Sequence, residues 1–248
     1  MNIRKNIVAK LIKIIILLDT PGSFAARREG CYLEMYRKIY RLYAMGFRPK
    51  TILDIGANRG MFTRCAHYVL PNAAIHAFEP LKDCYDDLCI LKNKIYKLKC
   101  YNIAIAEKNG ESYIHRSNYD YSSSLLEMDR LHKKAFSYAS GGHLEKIKIR
   151  TLDNIFGDKS FQRPLLMKID VQGYEKYVFA GAAETLKQTD YILCEMSFRH
   201  LYKGQAIFNE VYNQIINAGF KFLGHMDELL HPQTTEVLQI DGLFIRTR

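Results

Sequence analysis

The 248-residue sequence has no tryptophan, and its six cysteines form no Cys-x-x-Cys pair and have no clustered histidine partners. A structural zinc site needs such a set of ligands, so zinc binding is not expected. We interpret the cysteines as reduced, mostly buried thiols of a cytosolic protein. The content of hydrophobic residues, 48%, excludes a disordered chain.

An uninterrupted apolar run is also missing at the N-terminus. Residues 7–18 contain Lys10 and Lys13, and no small-residue cleavage site follows, which fits neither a membrane span nor a signal peptide. A helix here would place the lysines on one side and the apolar residues on the other: Ile7, Leu11, Ile14, Ile15 and Leu18. We expect this apolar side to pack on its own domain. The alternatives are a partner or an anionic membrane surface, contacted through residues 1–20.

Acidic residues are scarce in the first fifth of the chain. The net charge is +10, and residues 1–50 hold eleven Lys or Arg against three Asp or Glu, whereas the remainder is nearly neutral. A nucleic-acid-binding surface on the main part of the chain is therefore not expected. An anionic partner would engage the N-terminal part, unless these charges only form a solvated face.

The chain length suits one large α/β domain with a small N-terminal addition. A second helix is predicted from about Tyr32 to Ala44, and Gly46 and Pro49 end it before the first strand. We therefore divide the chain into a basic helical extension, residues 1–48, and a main domain, residues 49–248.

A glycine turn opens the main domain. An aliphatic run ends in Asp54, and Gly56 and Gly60 follow before a helix that begins at Met61. This order is typical of a nucleotide-cofactor pocket, because glycines let backbone N–H groups and the positive helix end approach a ligand. The alternative is an ordinary turn that only needs a positive φ.

Strands and helices alternate after this turn, which predicts a parallel sheet with helices on both faces, closed by an antiparallel pair at residues 220–223 and 242–246. Four acidic residues lie at or near the carboxyl ends of predicted strands: Asp54, Glu79, Asp170 and Glu195. Ligands of open α/β sheets bind beyond these ends, so we predict a shared binding edge. Glu79 is spaced to accept both ribose hydroxyls of a nucleoside, the alternative being a charge that faces water.

The connection from Ser117 to His143 is polar and rich in Ser, Tyr and Gly. Such long connections are usually functional, so residues 117–143 are predicted to form a lid or a substrate-facing insertion, with surface mobility as the alternative. Before it, Asn109-Gly110 predicts a hairpin turn into residues 111–116. After it, the alternation in residues 146–150 predicts an edge strand.

Four segments of the main domain carry one known pattern: Asp54–Gly60, Phe78–Pro80, Thr151–Asp153 and Lys168–Glu175. Together they resemble the FkbM family of methyltransferases over about residues 49–205. The Lys-Ile-Asp-x-x-Gly-Tyr-Glu block is the most specific part. The resemblance implies a Rossmann-like class I methyltransferase fold, with a mostly parallel seven-stranded sheet, and S-adenosylmethionine (SAM) as methyl donor.

The resemblance implies a role for the first loop and the second strand. Gly56, Asn58 and Gly60 would shape the loop at the amino-acid end of SAM, with Asp54 near the ammonium group. Glu79 would bind the ribose. Asn58 stands where many SAM-binding loops have a glycine, so its own contact is the least defined of the five.

Further along the chain, the resemblance places Asn102, Ile103 and Ala104 beside the adenine and lets Ser124 close over the cofactor. Asp170 would border the cofactor on its acceptor side. A nicotinamide dehydrogenase is disfavoured, because the glycine loop lacks the middle glycine that brings a pyrophosphate onto the helix.

Methyl transfer from a sulfonium is a direct displacement, so the protein must align donor and acceptor and arrange removal of the acceptor proton. Asp170 is the first candidate for this chemistry, assisted by Lys168 or Glu195, and His200 is an alternative base. Mg²⁺ between Asp170 and Glu195 is another way to polarise a hydroxyl. Glu175, in the first turn of its helix, is expected to orient the loop or to cap the helix.

Our hypothesis is a SAM-dependent O-methyltransferase that acts on a hydroxyl of a small molecule or glycan. The rival hypothesis is a non-catalytic module that keeps the fold and binds a partner or a membrane through its basic N-terminus. Binding of SAM and transfer of its methyl group distinguish the two.

Overall fold

The structure, a computed structural model, describes residues 2–247 and the side chains of residues 10–247. Within this range the helices are α1 (Asn2–Asp19), α2 (Ser23–Arg28), α3 (Leu33–Ala44), α4 (Met61–Val69), α5 (Lys82–Ile90), α6 (Arg130–Ala135), α7 (Leu152–Phe156), α8 (Glu175–Ala180), α9 (Ala183–Gln188) and α10 (Phe208–Asn217). The strands are β1 (Thr51–Ile55), β2 (Ala74–Phe78), β3 (Leu98–Tyr101), β4 (Ala104–Ile105), β5 (Gly110–Ser117), β6 (Gly142–Arg150), β7 (Leu165–Ile169), β8 (Tyr191–Ser197), β9 (Phe220–Leu230) and β10 (Val237–Arg246).

A seven-stranded sheet forms the centre of the molecule, in the order β3-β2-β1-β7-β8-β10-β9. The first five of these strands pair in parallel, whereas β10 runs antiparallel to both β8 and β9. This confirms the predicted sheet and its closing antiparallel pair. The order reverses between β1 and β7, which places a crevice at the carboxyl ends of those two strands.

Alternating side chains of the central strands supply two separate cores. Ile52 and Leu166 belong to the core under α3 and α4, whereas Leu53 and Met167 belong to the core under α7, α8, α9 and α10. All five residues of β1 and of β7 are buried. Strands covered on both faces read as continuous aliphatic runs, which is why the glycine turn follows such a run.

A second, three-stranded sheet has the order β4-β6-β5. The hairpin predicted at Asn109-Gly110 is therefore wrong: β4 and β5 lie on opposite sides of β6, with β4 parallel to it and β5 antiparallel. The edge strand predicted at residues 146–150 is likewise the middle strand of this sheet. Residues 117–143 connect β5 to β6 and contain α6.

The N-terminal helices differ in how they pack. Helix α3 buries Leu33, Tyr36, Ile39 and Leu42 and packs on α4. Helix α1 buries Ile16, but the predicted apolar side remains exposed at Leu11, Ile14, Ile15 and Leu18. The expectation that this side packs on its own domain is wrong for these residues, and the Ile7 side chain lies outside the described residues. Within residues 2–247, no helix has the length and apolarity needed to span a bilayer.

Candidate active site

A cleft lies at the carboxyl ends of β1, β2 and β7, where the strand order reverses. It encloses about 650 Å³, a volume that includes space open to solvent. The predicted site residues that line it are Gly56, Asn58, Glu79, Ile103, Ala104, Ser124 and Asp170. The predicted residues outside this lining are Asp54, Gly60, Asn102, Lys168 and Glu195.

The glycines of the first loop are needed for close packing of the protein itself. Gly56 has a φ of 78°, and a Cβ there would lie 1.9 Å from the carbonyl oxygen of Asp170. Gly60 has a φ of 80°, and its Cβ would lie 2.5 Å from a methyl carbon of Leu91. Gly56 therefore lets the loops after β1 and β7 touch, and Gly60 lets α4 begin against Leu91.

Asn58 adopts a φ of 47°, in the left-handed region. Asparagine tolerates this conformation better than most residues, which explains how it stands where a glycine is common. Its side chain accepts a hydrogen bond from the Arg59 N–H at 2.8 Å, and its own N–H donates to Glu79 Oε2 at 2.9 Å. Asn58 thus joins the first loop to the end of β2.

Glu79 is 4% exposed and is fixed by backbone donors on both carboxylate oxygens, from Asn58 at one and Leu81 at the other. Burial raises the pKa of Glu79 to about 7, although these hydrogen bonds act in the opposite direction. Asn102 holds the same segment, because its amide donates to the carbonyl oxygens of Glu79 and Pro80. Each Glu79 oxygen has a further lone pair for a hydroxyl of a ligand.

Asp54 and Lys168 form a buried ion pair beneath the loop after β1. Lys168 Nζ lies 3.2 Å from Asp54 Oδ1 and donates to the Gly56 carbonyl at 2.9 Å, while Thr63 donates to Asp54 Oδ2 at 2.6 Å. Burial acts to lower the pKa of Lys168, but the charges of Asp54 and Asp170 outweigh it and raise that pKa above its usual value. Lys168 is therefore a cation that supports the loop.

Gln172 connects the two acids predicted on the acceptor side. Its Nε2 donates to Asp170 Oδ1 at 2.8 Å and to Glu195 Oε2 at 3.0 Å. The Tyr202 hydroxyl lies 2.9 Å from Gln172 Oε1 and orients the amide. The left-handed φ of Gln172, 57°, sets this geometry. Gln172 occupies a variable position of the Lys168–Glu175 motif, and no role was predicted for it; the available signal was an amide beside the motif glycine, Gly173.

A third acid, Asp241 of β10, pairs in register with Glu195 of β8. We call Asp170, Glu195 and Asp241 the acid cluster. Burial and neighbouring acids raise the pKa of Glu195 well above its usual range, and burial also raises that of Asp241. Lys38 of α3 forms ion pairs with Asp241 and, at 2.9 Å, with Asp227. The N-terminal extension therefore supplies a cation to the acid cluster. This contact was not predicted from the sequence.

Residues 117–143 form one wall of the cleft through Ser124 and its neighbours. The Ser124 hydroxyl donates to the Gln172 carbonyl at 2.7 Å, which ties this wall to the loop after β7. Nearer the mouth, Arg59 donates to Asp83 at 2.8 Å and to Asp120 at 2.6 Å. Arg116 also donates to both acids. The wall is thus fastened to the first loop and to α5 by ion pairs.

The arrangement gives no support to Mg²⁺ between Asp170 and Glu195. The Gln172 amide already donates to one oxygen of each carboxylate, in the place where a bridging cation would bind. Among described residues, the group of His, Cys, Asp or Glu with ligand atoms close enough for a metal is Asp83, Cys84 and Asp120. Two of these are the acids already paired with arginines, so we assign no metal site.

Glu175 and the alternative base His200 lie in different surroundings. Glu175 Oε1 accepts from the N–H groups of Val171 and Gly173, so it holds the loop after β7, in line with the prediction. Burial raises the pKa of Glu175 to about 7. His200 lies on the exposed surface and does not line the cleft.

The class I fold of SAM-dependent methyltransferases is defined by this sheet order, in which the antiparallel strand β10 lies beside the last parallel strand, and by a glycine loop that contacts an acid just after β2. The methyltransferase FkbM domain matches residues 54–222. The chain belongs to the FkbM methyltransferase family. This confirms the family, the fold class and the enzyme class predicted from the sequence.

The chain is also similar to one curated protein and to solved structures. The chain is 28% identical over 191 residues to the 2-O-methyltransferase NoeI of Sinorhizobium fredii, covering 72% of this chain and 75% of that protein. Among solved structures, the N-terminal domain of EvdMO1, crystallised in the presence of S-adenosylhomocysteine (SAH) and D-fucose, has a TM-score of 0.49 at 10% identity, covering 88% of this chain and 84% of that one. The chain spans 41% of the longer EvdMO1 chain, with a TM-score of 0.46 at 11% identity and 87% of this chain covered.

Proposed function

We propose that the enzyme transfers a methyl group from SAM to a hydroxyl of a small molecule or glycan. The observation that carries this proposal is the position of Asp170, whose side chain is 39% exposed at the border between the cleft and the acid cluster. A hydroxyl must lose its proton when it is methylated, and a positioned carboxylate can accept it. The name of the relative NoeI, a 2-O-methyltransferase, supports the same acceptor group.

The cleft residues fit SAM. The loop Gly56–Gly60 would hold its amino-acid end, Glu79 would accept the ribose hydroxyls, and Ile103 with Ala104 would contact the adenine, with Ser124 on the opposite wall. The fit rests on Glu79, because its carboxylate is already fixed by two backbone donors and keeps free lone pairs. When bound, SAM supplies an electrophilic methyl group on a sulfonium.

The surrounding residues position the Asp170 carboxylate for its role. Gln172 binds one of its oxygens, and Lys168 Nζ lies 3.7 Å from the other. These two contacts hold the carboxylate in place at the edge of the cleft. Glu195 accepts a hydrogen bond from the same Gln172 amide and helps to fix its orientation. Glu195 does not line the cleft.

Two experiments test the proposal in sequence. Isothermal titration calorimetry with SAM and with SAH should show binding of both, and the absence of binding at about millimolar ligand would refute the cofactor assignment. Incubation with methyl-labelled SAM and fractionated cell extract should then label a small molecule or glycan. Label on an amine, identified by mass spectrometry, would refute O-methylation while leaving SAM binding intact.

The rival hypothesis of a non-catalytic module is not favoured, because the match to the FkbM methyltransferase domain spans the glycine loop, Glu79 and Asp170. We further propose that the enzyme acts in the reducing cytoplasm. All six cysteines are unpaired, which supports this compartment.

A further inference from the structure

Helices α1 and α2 expose an apolar stripe that methyl transfer does not explain. Leu11, Ile14, Ile15 and Leu18 are 50% to 76% exposed, and Phe24 of α2 is 60% exposed. The first four follow the i, i+3, i+4, i+7 spacing, so they lie on one side of α1. A single exposed leucine needs no explanation, but a contiguous stripe marks a contact surface.

The opposite side of α1 is anchored, so the exposure of the stripe is a property of the fold. Ile16 is buried, and the Ser23 hydroxyl donates to the Leu17 carbonyl at 2.7 Å. Lys13 Nζ lies 5.9 Å from the centre of the Tyr32 ring. With these contacts made, the helix cannot turn its apolar stripe inward without losing them.

Basic residues accompany the stripe. Residues 1–28 contain six Lys or Arg and a single acidic residue, Asp19. Asp19 is itself paired with Arg37, at 3.4 Å. The side chains of Lys10, Arg27 and Arg28 are exposed. Anionic lipids attract such cations, while the apolar side chains enter the boundary between headgroups and acyl chains.

We propose that α1 and α2 form a peripheral binding surface for an anionic lipid bilayer, on which the enzyme docks with the apolar stripe of α1 in the membrane interface. A second copy of the chain fits this surface less well. Residues 1–28 of each copy carry six Lys or Arg against one acidic residue, so a symmetric contact would bring two positively charged surfaces together, and like charges oppose association. The inference does not depend on methyl transfer or on its acceptor.

The test is flotation of the full-length protein with vesicles of phosphatidylcholine, with and without phosphatidylglycerol. The wild type should float with the anionic vesicles only, and about 0.5 M salt should weaken this binding, because salt screens the charges. The variant Leu11→Ser/Ile15→Ser/Leu18→Ser should lose binding by roughly tenfold or more. The matched control is Ile90→Ser/Tyr96→Ser, which removes two exposed apolar side chains of the main domain and should bind like the wild type.

A charge variant, Lys10→Glu/Arg27→Glu/Arg28→Glu, should lose binding to anionic vesicles while keeping the far-UV circular dichroism of the wild type. Failure of the wild type to float with anionic vesicles would overturn the proposal, and so would equal losses in the stripe variant and its control. Light scattering after size exclusion gives a further criterion. A wild-type dimer that the stripe variant converts to a monomer would assign the stripe to self-association and refute membrane docking.

Discussion

The two halves of the site differ in how their acids are neutralised. On the β1 and β2 side, Asp54 has a lysine and a threonine, and Glu79 has two backbone donors. On the β7, β8 and β10 side, Asp170 and Glu195 share the Gln172 amide, Asp241 pairs with Lys38, and Asp170 lies near the same Lys168 that pairs with Asp54. In the first half each carboxylate oxygen has a fixed partner. In the second half the carboxylates outnumber the lysines that pair with them.

This difference corresponds to two chemical tasks. A pocket for one constant ligand works best with rigid acceptors, whose hydrogen bonds are arranged before the ligand arrives. A site that accepts a proton needs a carboxylate whose protonation can change during the reaction. The fixed donors around Glu79 suit the first task, and we propose that Asp170, at the border of the cleft, performs the second.

The largest expected effect comes from Asp170→Asn, which keeps the shape and the hydrogen bond to Gln172 but cannot accept a proton. Methyl transfer at saturating SAM should fall by about 10²- to 10⁴-fold, because this is the usual contribution of a general base. The affinity for SAM, measured by calorimetry, should change by less than about threefold. Asp158→Asn, at an exposed acid outside the cleft, is the matched control.

Unchanged turnover of Asp170→Asn would remove Asp170 from the reaction. A loss of SAM affinity as large as the loss of turnover would instead make it a cofactor-binding residue, and the two halves of the site would then not be distinct.

The second prediction concerns the junction of the two halves. Gly56→Ala should destabilise the protein by roughly 3 kcal/mol or more, because its Cβ would overlap the Asp170 carbonyl at 1.9 Å and its φ is positive. Gly46→Ala is the control: its φ is 91°, but nothing lies within 4 Å of the added Cβ, so about 1 kcal/mol is expected. Chemical denaturation measures both, and equal losses would show that the close approach at Gly56 is not needed.

Sequence patterns sufficed for the central sheet because its strands carry their own signals. Buried aliphatic runs, glycine turns and helix periodicity are local properties, and the parallel order follows from their alternation. The hairpin predicted at Asn109-Gly110 was wrong because strand pairing is not local: β4 and β5 each pair with β6, at residues 25 to 45 positions further along. The predicted packing of α1 was wrong for a related reason: a periodic apolar side does not specify what covers it.

The site residues also divide into those with a local sequence signal and those without one. The position of Glu79 could be predicted, because it follows a strand at a fixed distance from the glycine loop. The contact of Lys38 with Asp241 could not, since 203 residues separate the two and neither stands in a motif. The bridging role of Gln172 depends on a left-handed backbone that a non-glycine residue seldom signals.

The third prediction tests the rigid half. At about pH 8, above the raised pKa of Glu79, Glu79→Gln should weaken SAM binding by roughly tenfold, because a charged acceptor is replaced by a neutral amide whose nitrogen faces a backbone donor. Turnover at saturating SAM should remain within about threefold of the wild type, since the base that we propose is Asp170 and not Glu79. A loss confined to turnover would contradict the division between the halves.

The fourth prediction concerns pH and stability. The pKa of Glu79 is raised from its usual 4.5 to about 7, so the native state holds a proton that the unfolded chain releases in this window. The free energy of unfolding should therefore fall as the pH rises from about 4.5 to about 7. Glu79→Gln should flatten this fall by roughly 2 to 3 kcal/mol, and the fall that remains should come from Glu175, Glu195 and Asp241, whose pKa values burial also raises. Denaturation curves at several pH values measure it, and an unchanged slope in the variant would contradict it.

The smallest effect is expected from removal of divalent metal, which separates the two ways of activating a hydroxyl at the acid cluster. The Gln172 amide donates to both Asp170 and Glu195, at the place where a bridging ion would bind. Hydrogen bonds within the protein therefore already link these two carboxylates. Turnover should accordingly stay within about twofold of its starting value after treatment with EDTA, and added Mg²⁺ should not increase it. A strong loss on chelation that Mg²⁺ restores would mean that Gln172 moves aside for a metal. In that case the acceptor half would work by polarising the hydroxyl, and Asp170 would be a metal ligand where we infer a base.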